Sequence, residues 1–133
     1  GPIGLYAVQL ISSGGENRHL PGHRRGAQRL ELAKELGAGL YHQRLPRRPV
    51  ERVREITDGA MADYVQDCVG AEGVPIAALK ISKDGTYGIT GLYHTLPQVD
   101  LGDVVRREIK IFGTICYTRQ EFEECLTSWR TAG

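Results

Sequence analysis

The alternation of helical and extended segments is the feature of this sequence that most constrains its fold. The clearest helix covers residues 26–36, because Leu30, Ala33 and Leu36 recur at helical spacing and Gly37 follows as a stop signal. Further helices are predicted over residues 2–13, 49–56, 71–80, 101–107 and 119–130. Strands are predicted over residues 18–24, 62–69, 85–93 and 108–117, with a brief extended piece at 40–41 and a turn at 83–85. Strands that alternate with helices are typical of βαβ units, so we expect an α/β fold with a mostly parallel sheet flanked by helices.

The length of 133 residues fits one domain, which we place at residues 1–133. Apolar residues make up 41% and charged residues 25%, and the formal net charge is +1, which argues against a histone-like or acidic-tail protein. The longest apolar run, residues 1–11, is well short of the roughly 20 residues that a membrane span needs, and no basic segment precedes it as in a signal peptide. Three widely spaced cysteines, Cys68, Cys116 and Cys125, argue against a disulfide framework. We therefore expect a soluble protein of the cytoplasm with no membrane partner.

Basic residues are concentrated in one part of the chain. Residues 18–54 contain ten basic and three acidic side chains, so the remainder carries seven basic and thirteen acidic ones. A local basic excess is expected where an anionic ligand binds, whether that ligand is a cofactor phosphate or a nucleic acid. The alternative is that most of these arginines lie on solvated helix faces. Because acidic residues interrupt the stretch, Tyr41 is its one aromatic residue and no nucleic-acid motif is present, we do not expect a nucleic-acid partner.

The first four residues, Gly-Pro-Ile-Gly, open the first predicted helix. Glycines at a helix N-terminus let a phosphate approach the backbone N–H groups, and the helix dipole favours its negative charge. About twenty residues later, the stretch Pro-Gly-His-Arg-Arg-Gly stands near the end of the next predicted strand, where a dinucleotide-binding fold places the residue that selects the ribose. Taken together, the two stretches indicate a dinucleotide site.

Six successive segments carry a resemblance to a known family. They read GPIGLYAVQLI, RLELAKELGA, PVERVREITDG, ADYVQDCVGAEG, GTYGITGLY and VVRREIKIFGTICY. In this order, and over nearly the whole chain, they resemble the cofactor-binding domain of medium-chain, zinc-type alcohol and polyol dehydrogenases. The resemblance implies a Rossmann-like fold and a nicotinamide cofactor, NAD or NADP, that exchanges hydride with an alcohol in the complete enzyme.

The resemblance also implies which residues contact the cofactor. These residues are Gly1, Ile3, Gly4, Arg24, Arg25, Cys68, Val69, Gly91, Leu92, Ile115 and Cys116. Gly1 and Gly4 match the second and third glycines of the family's GxGxxG fingerprint. Residues 68–70 match a turn that passes near the adenosine ribose, residues 91–93 match a turn that flanks the nicotinamide, and residues 115–116 match a strand end near its carboxamide.

Arg24 determines which of the two cofactors the resemblance favours. Residues 18–24 align without a gap with the family's second strand, and NAD-preferring members carry Asp or Glu at the position of Arg24. An acid there bonds the ribose hydroxyls and repels a 2′-phosphate, whereas an arginine attracts that phosphate. With Arg25 beside it, this position favours NADP over NAD. The alternative is that both arginines lie in solvent.

Zinc and the catalytic residues belong to a part of the family's fold that this sequence does not resemble. In the family, the zinc ligands, the proton relay and most of the substrate pocket lie in a separate domain. No HxxE, HExxH or CxxC spacing is present here, so we expect no metal site and no catalytic residue in this chain. Cys68 and Cys116 are interpreted as buried small residues rather than reactive thiols. We expect the chain alone to bind cofactor without oxidising an alcohol; the alternative is a non-catalytic dinucleotide-binding or regulatory module.

The resemblance further implies that the chain is truncated at both ends. The family's first strand would lie upstream of Gly1, and the chain stops within the helix that follows the sixth strand. The first strand is central in the usual sheet order 3-2-1-4-5-6. With this strand absent, we expect two half-sheets with unpaired edges.

Residues 96–101, Leu-Pro-Gln-Val-Asp-Leu, match a short edge strand through which members of the family pair across a two-fold axis. Independently of the family, Val99 and Leu101 alternate with polar residues, as in an edge strand with one covered face. We therefore predict a homodimer through this segment. The alternative is an ordinary surface loop, which Pro97 makes credible.

Overall fold

The computed structural model describes residues 1–13, 19–22, 27–43 and 49–131. In this part of the chain, six helices alternate with five strands. The helices are α1 (Pro2–Ser13), α2 (Ala27–Glu35), α3 (Pro49–Ile56), α4 (Val74–Ile81), α5 (Leu101–Arg106) and α6 (Arg119–Thr131). The strands are β1 (His19–Gly22), β2 (Leu40–Gln43), β3 (Ala62–Asp67), β4 (Ser82–Ile89) and β5 (Lys110–Gly113). The predicted α/β fold is confirmed.

Every strand pair among the described residues is parallel. β1 lies beside β2, with His19 opposite Leu40 and Gly22 opposite Gln43. β4 is the middle strand of a second sheet, flanked by β3 and β5. No described strand joins the two sheets, in agreement with the two half-sheets that we expect. The carboxyl ends of β3, β4 and β5 lie at one edge of the three-stranded sheet, which is where open parallel sheets bind ligands.

α4 packs against the three-stranded sheet and supplies part of its hydrophobic core. Ala78 and Leu79 of α4 cluster with Tyr87 of β4 and with Ile109, and all four side chains are buried. Partly buried side chains pack around this cluster, namely Val65, Ile89 and Val104. Burial of a side chain such as Leu79 contributes about 1.5–3 kcal/mol, so this cluster holds α4 against β4. This packed cluster fixes the position of β4, whose carboxyl end lies at the edge described above.

α1 packs against α2 through a smaller cluster. Val8 of α1 and Ala33 of α2 are buried together with Ala38. The hydroxyl of Ser12 donates a hydrogen bond to the carbonyl oxygen of Leu36 at 3.1 Å, which ties the end of α1 to the end of α2. No helix in the described part of the chain is long and apolar enough to cross a bilayer.

β4 begins earlier than the sequence predicts. The predicted turn at residues 83–85 is part of this strand. The backbone N–H of Asp84 donates to the carbonyl oxygen of Arg107 at 2.8 Å, and a Cβ atom on Gly85 would lie 2.5 Å from the carbonyl oxygen of Asp63. The predicted turn is therefore found as a bulge inside β4, because the register with β3 shifts between Ala62 and Tyr64 and Asp84 has a left-handed φ of 49°.

β5 is shorter than the predicted strand over residues 108–117. The backbone takes a positive φ at both ends of the predicted range, 54° at Glu108 and 59° at Cys116. Extended strands require negative φ, so these two residues bound the segment that can pair with β4.

Residues 96–100 do not form a strand in this chain, and Leu101 begins α5 instead. The side chain of Asp100 accepts a hydrogen bond from the backbone N–H of Asp103 at 3.2 Å, which caps the helix. Asp100 itself has an extended backbone, and a strand that pairs only with a second copy has no partner within the single chain. The edge strand therefore stays a prediction for residues 96–100, whereas Leu101 belongs to α5.

Candidate functional site

The turns that follow β3 and β4 meet backbone to backbone at the carboxyl edge of the sheet. A Cβ atom on Gly91 would lie 2.1 Å from the backbone nitrogen of Gly70, and one on Gly70 would lie 2.4 Å from the carbonyl oxygen of Leu92. Gly70 also has a φ of +68°, which other residues rarely adopt. The structure thus brings the predicted site residues Cys68 and Val69 next to Gly91 and Leu92, and glycine is required on both sides of the contact.

α1 begins beside the turn that follows β3. A Cβ atom on Gly4 would lie 3.9 Å from the Cβ atom of Cys68, whereas one on Gly1 would have no atom within 4 Å. The first N–H groups of an α-helix have no partner within the helix and, with the helix dipole, attract anions. Gly1, Ile3 and Gly4 therefore lie at the same edge as the two turns, with open space next to Gly1.

The carboxylate of Asp67, the last residue of β3, accepts four hydrogen bonds at this edge of the sheet. Oδ1 accepts hydrogen bonds from the N–H groups of Val69 at 2.8 Å and Gly70 at 3.0 Å. Oδ2 accepts hydrogen bonds from the hydroxyls of Tyr87, at 3.1 Å, and of Tyr93. Asp67 is 2% exposed and Tyr87 is 1% exposed, so this polar cluster lies in the interior. Its hydrogen bonds offset the cost of burying the carboxylate.

The hydrogen bonds of this cluster keep the carboxylate charged and the hydroxyls protonated. Burial raises the pKa of Asp67, but the hydrogen bonds from Tyr93, Gly70, Val69 and Tyr87 outweigh burial and hold this pKa below its ordinary value. Burial, with a smaller contribution from the hydrogen bond to Tyr93, raises the pKa of Tyr87 well above the ordinary range. Burial and the hydrogen bond to Asp67 raise the pKa of Tyr93 to about 12. Both tyrosines therefore remain donors to the carboxylate at neutral pH.

The end of β5 adds the last two predicted residues. The N–H of Thr114 donates to the carbonyl oxygen of Ile89 at 3.0 Å, so Ile115 and Cys116 follow close to the end of β4. Cys116 is exposed, and its interpretation as a buried residue is wrong, because β5 has already ended and the positive φ at this residue turns the chain out of the sheet. Cys68 is half-buried, and burial raises the pKa of its thiol, which makes it a poor nucleophile.

Arg24 and Arg25 lie outside the described residues, so their contact with the ribose stays a prediction. Conversely, Asp67 and Tyr87 are residues of this edge that the sequence analysis did not identify. A signal for Asp67 exists, namely an acid at the end of a strand, directly before a glycine-containing turn. Tyr87 gives no such signal, because an aromatic residue in a strand predicts core packing alone.

Metal ligands are a separate question from the cofactor contacts. The described ranges contain no group of three His, Cys, Asp or Glu side chains that could hold a metal ion. The cysteines Cys68, Cys116 and Cys125 are all free thiols. Structural and catalytic zinc sites need three or four such ligands, so the part of the chain that the structure describes does not fit zinc.

Comparisons with known proteins agree with this geometry. The sequence model described as zinc-binding dehydrogenase matches residues 2–130. The D-arabitol-phosphate dehydrogenase of Enterococcus avium is 35% identical over 116 residues, which are 86% of this chain and 33% of that protein. The sorbitol dehydrogenase of Halalkalibacterium halodurans is 33% identical over 132 residues, which are 96% of this chain and 38% of that protein. The crystal structure of an alcohol dehydrogenase from Thermotoga maritima matches with a TM-score of 0.85 at 23% identity, over 96% of this chain and 36% of that one. The chain thus spans about a third of the length of the curated relatives that it matches.

Proposed function

The chain belongs to the zinc-binding dehydrogenase family, whose Rossmann part it spans over residues 2–130, and we propose that it binds a nicotinamide dinucleotide at the carboxyl edge of β3, β4 and β5. The observation that carries this proposal is the convergence of three backbone elements at that edge: the first turn of α1 and the two turns that meet at Gly70 and Gly91. Open α/β sheets bind nucleotides at such edges, because backbone groups there can approach the ligand closely.

Each part of the edge suits a different part of the dinucleotide. The first turn of α1 suits the pyrophosphate, because the open space next to Gly1 lets phosphate oxygens reach helix N–H groups. Val69 and Leu92, which are 70% and 67% exposed, offer apolar surface to the adenosine and nicotinamide ends. Ile115 and Cys116 follow the end of β5, where we place the carboxamide. The bound dinucleotide supplies the hydride chemistry, and the residues of this chain bind and orient it.

We propose that the preferred dinucleotide is NADP. The support for this preference is the sequence position of Arg24, where an acid would select NAD, together with the neighbouring Arg25. Two guanidinium groups can bond a 2′-phosphate with charge-assisted hydrogen bonds, and they offer no acceptor to the 2′-hydroxyl of NAD.

For the complete enzyme we propose hydride transfer between an alcohol or polyol and this cofactor. Two of the relatives are named for D-arabitol phosphate and for sorbitol, which are polyol substrates. The contribution of this chain is to hold the nicotinamide, and we expect no alcohol-dependent reduction of NAD or NADP by this chain alone.

We also propose that two copies of the chain associate through the segment of residues 96–101. The apolar side chains of this segment are accessible, with Leu96 95%, Val99 40% and Leu101 69% exposed. Val99 and the exposed Ile76 also border an open cavity of about 520 Å³ that Lys80, Asp100 and Asp103 line as well, so a partner segment would find both apolar and charged groups there.

A cytoplasmic location is proposed from the cysteines. All three are free thiols in this structure, and free thiols persist in reducing compartments.

Calorimetric titration of the chain with NADPH and NADH, against a buffer control, tests the cofactor site. The sharpest variant is Gly1→Ala, because its methyl group meets no protein atom within 4 Å but enters the space proposed for the pyrophosphate. We expect this variant to keep the unfolding midpoint and to bind NADPH at least about tenfold more weakly.

The matched control is Gly102→Ala in α5. Its added methyl group would lie 2.8 Å from a guanidinium nitrogen of Arg106 and 2.9 Å from Oδ1 of Asp100, which caps α5. We expect a lower unfolding midpoint for this variant, but Gly102 is not among the proposed contacts. NADPH affinity should remain unchanged in this control. An unmodified chain that takes up neither cofactor would contradict the proposal.

A further inference from the structure

Asp67 connects the two turns that would face the two halves of the dinucleotide. Its Oδ1 atom holds the first turn through the N–H groups of Val69 and Gly70, and its Oδ2 atom holds the second turn through the hydroxyl of Tyr93. The backbone carbonyl oxygen of the same residue accepts a further hydrogen bond from the N–H of Gly91 at 3.0 Å. The side chain of Asp67 therefore contacts both turns, and its backbone carbonyl adds a further contact to the turn after β4.

The donors of this network are turned toward Asp67. The N–H groups of Val69 and Gly70 bond the carboxylate, so they are not available to a phosphate of the cofactor. The carboxylate itself is buried and cannot contact a ligand directly. Its effect on the site must therefore act through the position of the two turns.

The two tyrosines that bond the carboxylate differ in their surroundings. Tyr87 belongs to the buried cluster beneath α4, so its bond to Asp67 joins the carboxylate to the core. Tyr93 is half-buried and follows Gly91 and Leu92 in the second turn. The hydroxyl of Tyr93 also lies 3.0 Å from that of Tyr87, so it ties the second turn both to the carboxylate and to the buried tyrosine.

We propose that Asp67 is a positioning residue which, through Tyr93, fixes the separation of the two turns so that both halves of one dinucleotide bind at the same time. The inference rests on the proposed function. When both turns are held at the separation that the dinucleotide requires, binding of its first half places its second half next to the other turn. Little conformational entropy is then lost in ordering that turn. When the second turn is released, the adenosine half still binds, but the nicotinamide half loses this advantage.

The test compares Tyr93→Phe with the unmodified chain, because this variant removes one hydroxyl and keeps the ring. Calorimetry with NADPH and with AMP separates the whole dinucleotide from its adenosine half. We expect NADPH to bind about tenfold more weakly and AMP at most about twofold more weakly. Amide hydrogen exchange should become faster at Val69 and Gly70, which Tyr93 does not bond, because their shared carboxylate loses a restraint.

The matched control is Tyr64→Phe, whose hydroxyl on the same strand as Asp67 bonds Gln66 instead of the carboxylate. This control should leave the ratio of the two affinities and the exchange at Val69 and Gly70 unchanged. Equal weakening of AMP and NADPH in Tyr93→Phe, or unchanged exchange in the first turn, overturns the positioning role while the proposed function stands. An unmodified chain that binds neither ligand refutes the proposed function, and the positioning role with it.

Discussion

The backbone nitrogen of Gly70 leaves no room for a side chain on Gly91, since a Cβ atom there would lie only 2.1 Å away. An alanine at position 91 must therefore push apart the turns that follow β3 and β4. We expect Gly91→Ala to lower the free energy of unfolding by about 3 kcal/mol, the upper end of the usual cost of overpacking. Urea denaturation of both proteins measures this difference.

Gly113→Ala, at the end of β5, is the control for this substitution. Its Cβ atom would lie 3.9 Å from the carbonyl oxygen of Ile89, which is ordinary contact. The free energy of unfolding should change by no more than about 0.5 kcal/mol. A similar loss in the two variants would show that the contact between the turns has no special importance.

The stability that Asp67 contributes should depend on pH. Because the folded chain holds the pKa of Asp67 below its ordinary value of 3.8, this contribution is present above that pH and is lost as the pH falls through the lower folded pKa. At pH 7 we expect Asp67→Asn to lower the free energy of unfolding by about 2 kcal/mol. Urea denaturation at a series of pH values should show this difference shrinking below about pH 4.

Asp63→Asn provides the comparison, because Asp63 is an exposed residue of the same strand. Its effect on the free energy of unfolding should stay below about 0.5 kcal/mol at pH 7. If the Asp67→Asn difference were as large at pH 3 as at pH 7, the charge of Asp67 would not be what stabilises the two turns.

Local signals were sufficient for some elements of this fold and insufficient for others. α1 and α3 have the predicted bounds, because Pro2 and Pro49 favour a helix start and the apolar spacing that follows is helical. The beginning of β4 was missed, because the residues Ser-Lys-Asp at 82–84 have the composition of a turn. Their place in β4, as a bulge with a positive φ at Asp84, depends on contacts with β3 and with Arg107, which are distant in sequence.

The candidate site was predictable to a similar extent. The resemblance points to Gly4 and Gly91 by position, and the structure brings them next to Cys68 and Gly70, while their contact with a cofactor stays a prediction. Asp67 was not identified, because the tyrosines that give it a role lie 20 and 26 residues further along the chain. A hydrogen-bond network of this kind is determined by tertiary contacts, and periodicity does not reveal it.

Cofactor preference should follow the charge at position 24. We expect NADPH to bind more tightly than NADH, because a charge-assisted bond from Arg24 to the 2′-phosphate contributes about 1.5–3 kcal/mol, or about ten- to a hundredfold in affinity. Arg24→Asp should reverse the order, because the carboxylate repels the phosphate and can accept from the ribose hydroxyls. Titrations of both proteins with both cofactors measure the two ratios.

The same charge change at Arg29, an exposed residue of α2, distinguishes a specific contact from general electrostatic attraction. Arg29→Asp should weaken both cofactors slightly and keep NADPH the tighter ligand, since screened charges at a distance do not discriminate strongly. A cofactor ratio that Arg24→Asp leaves unchanged would mean that Arg24 faces solvent.

Association of two copies should depend on Val99. We expect a dimer at micromolar concentration, and Val99→Lys should convert it to a monomer, because a lysine on a two-fold contact brings two like charges onto the shared apolar face. Val105→Lys is the matched control, since Val105 is 77% exposed on α5 but lies outside residues 96–101. Multi-angle light scattering over a range of concentrations measures the mass of each protein. A chain that stays monomeric at high concentration, or a dimer that Val99→Lys and Val105→Lys leave equally intact, would mean that residues 96–101 are an ordinary surface loop.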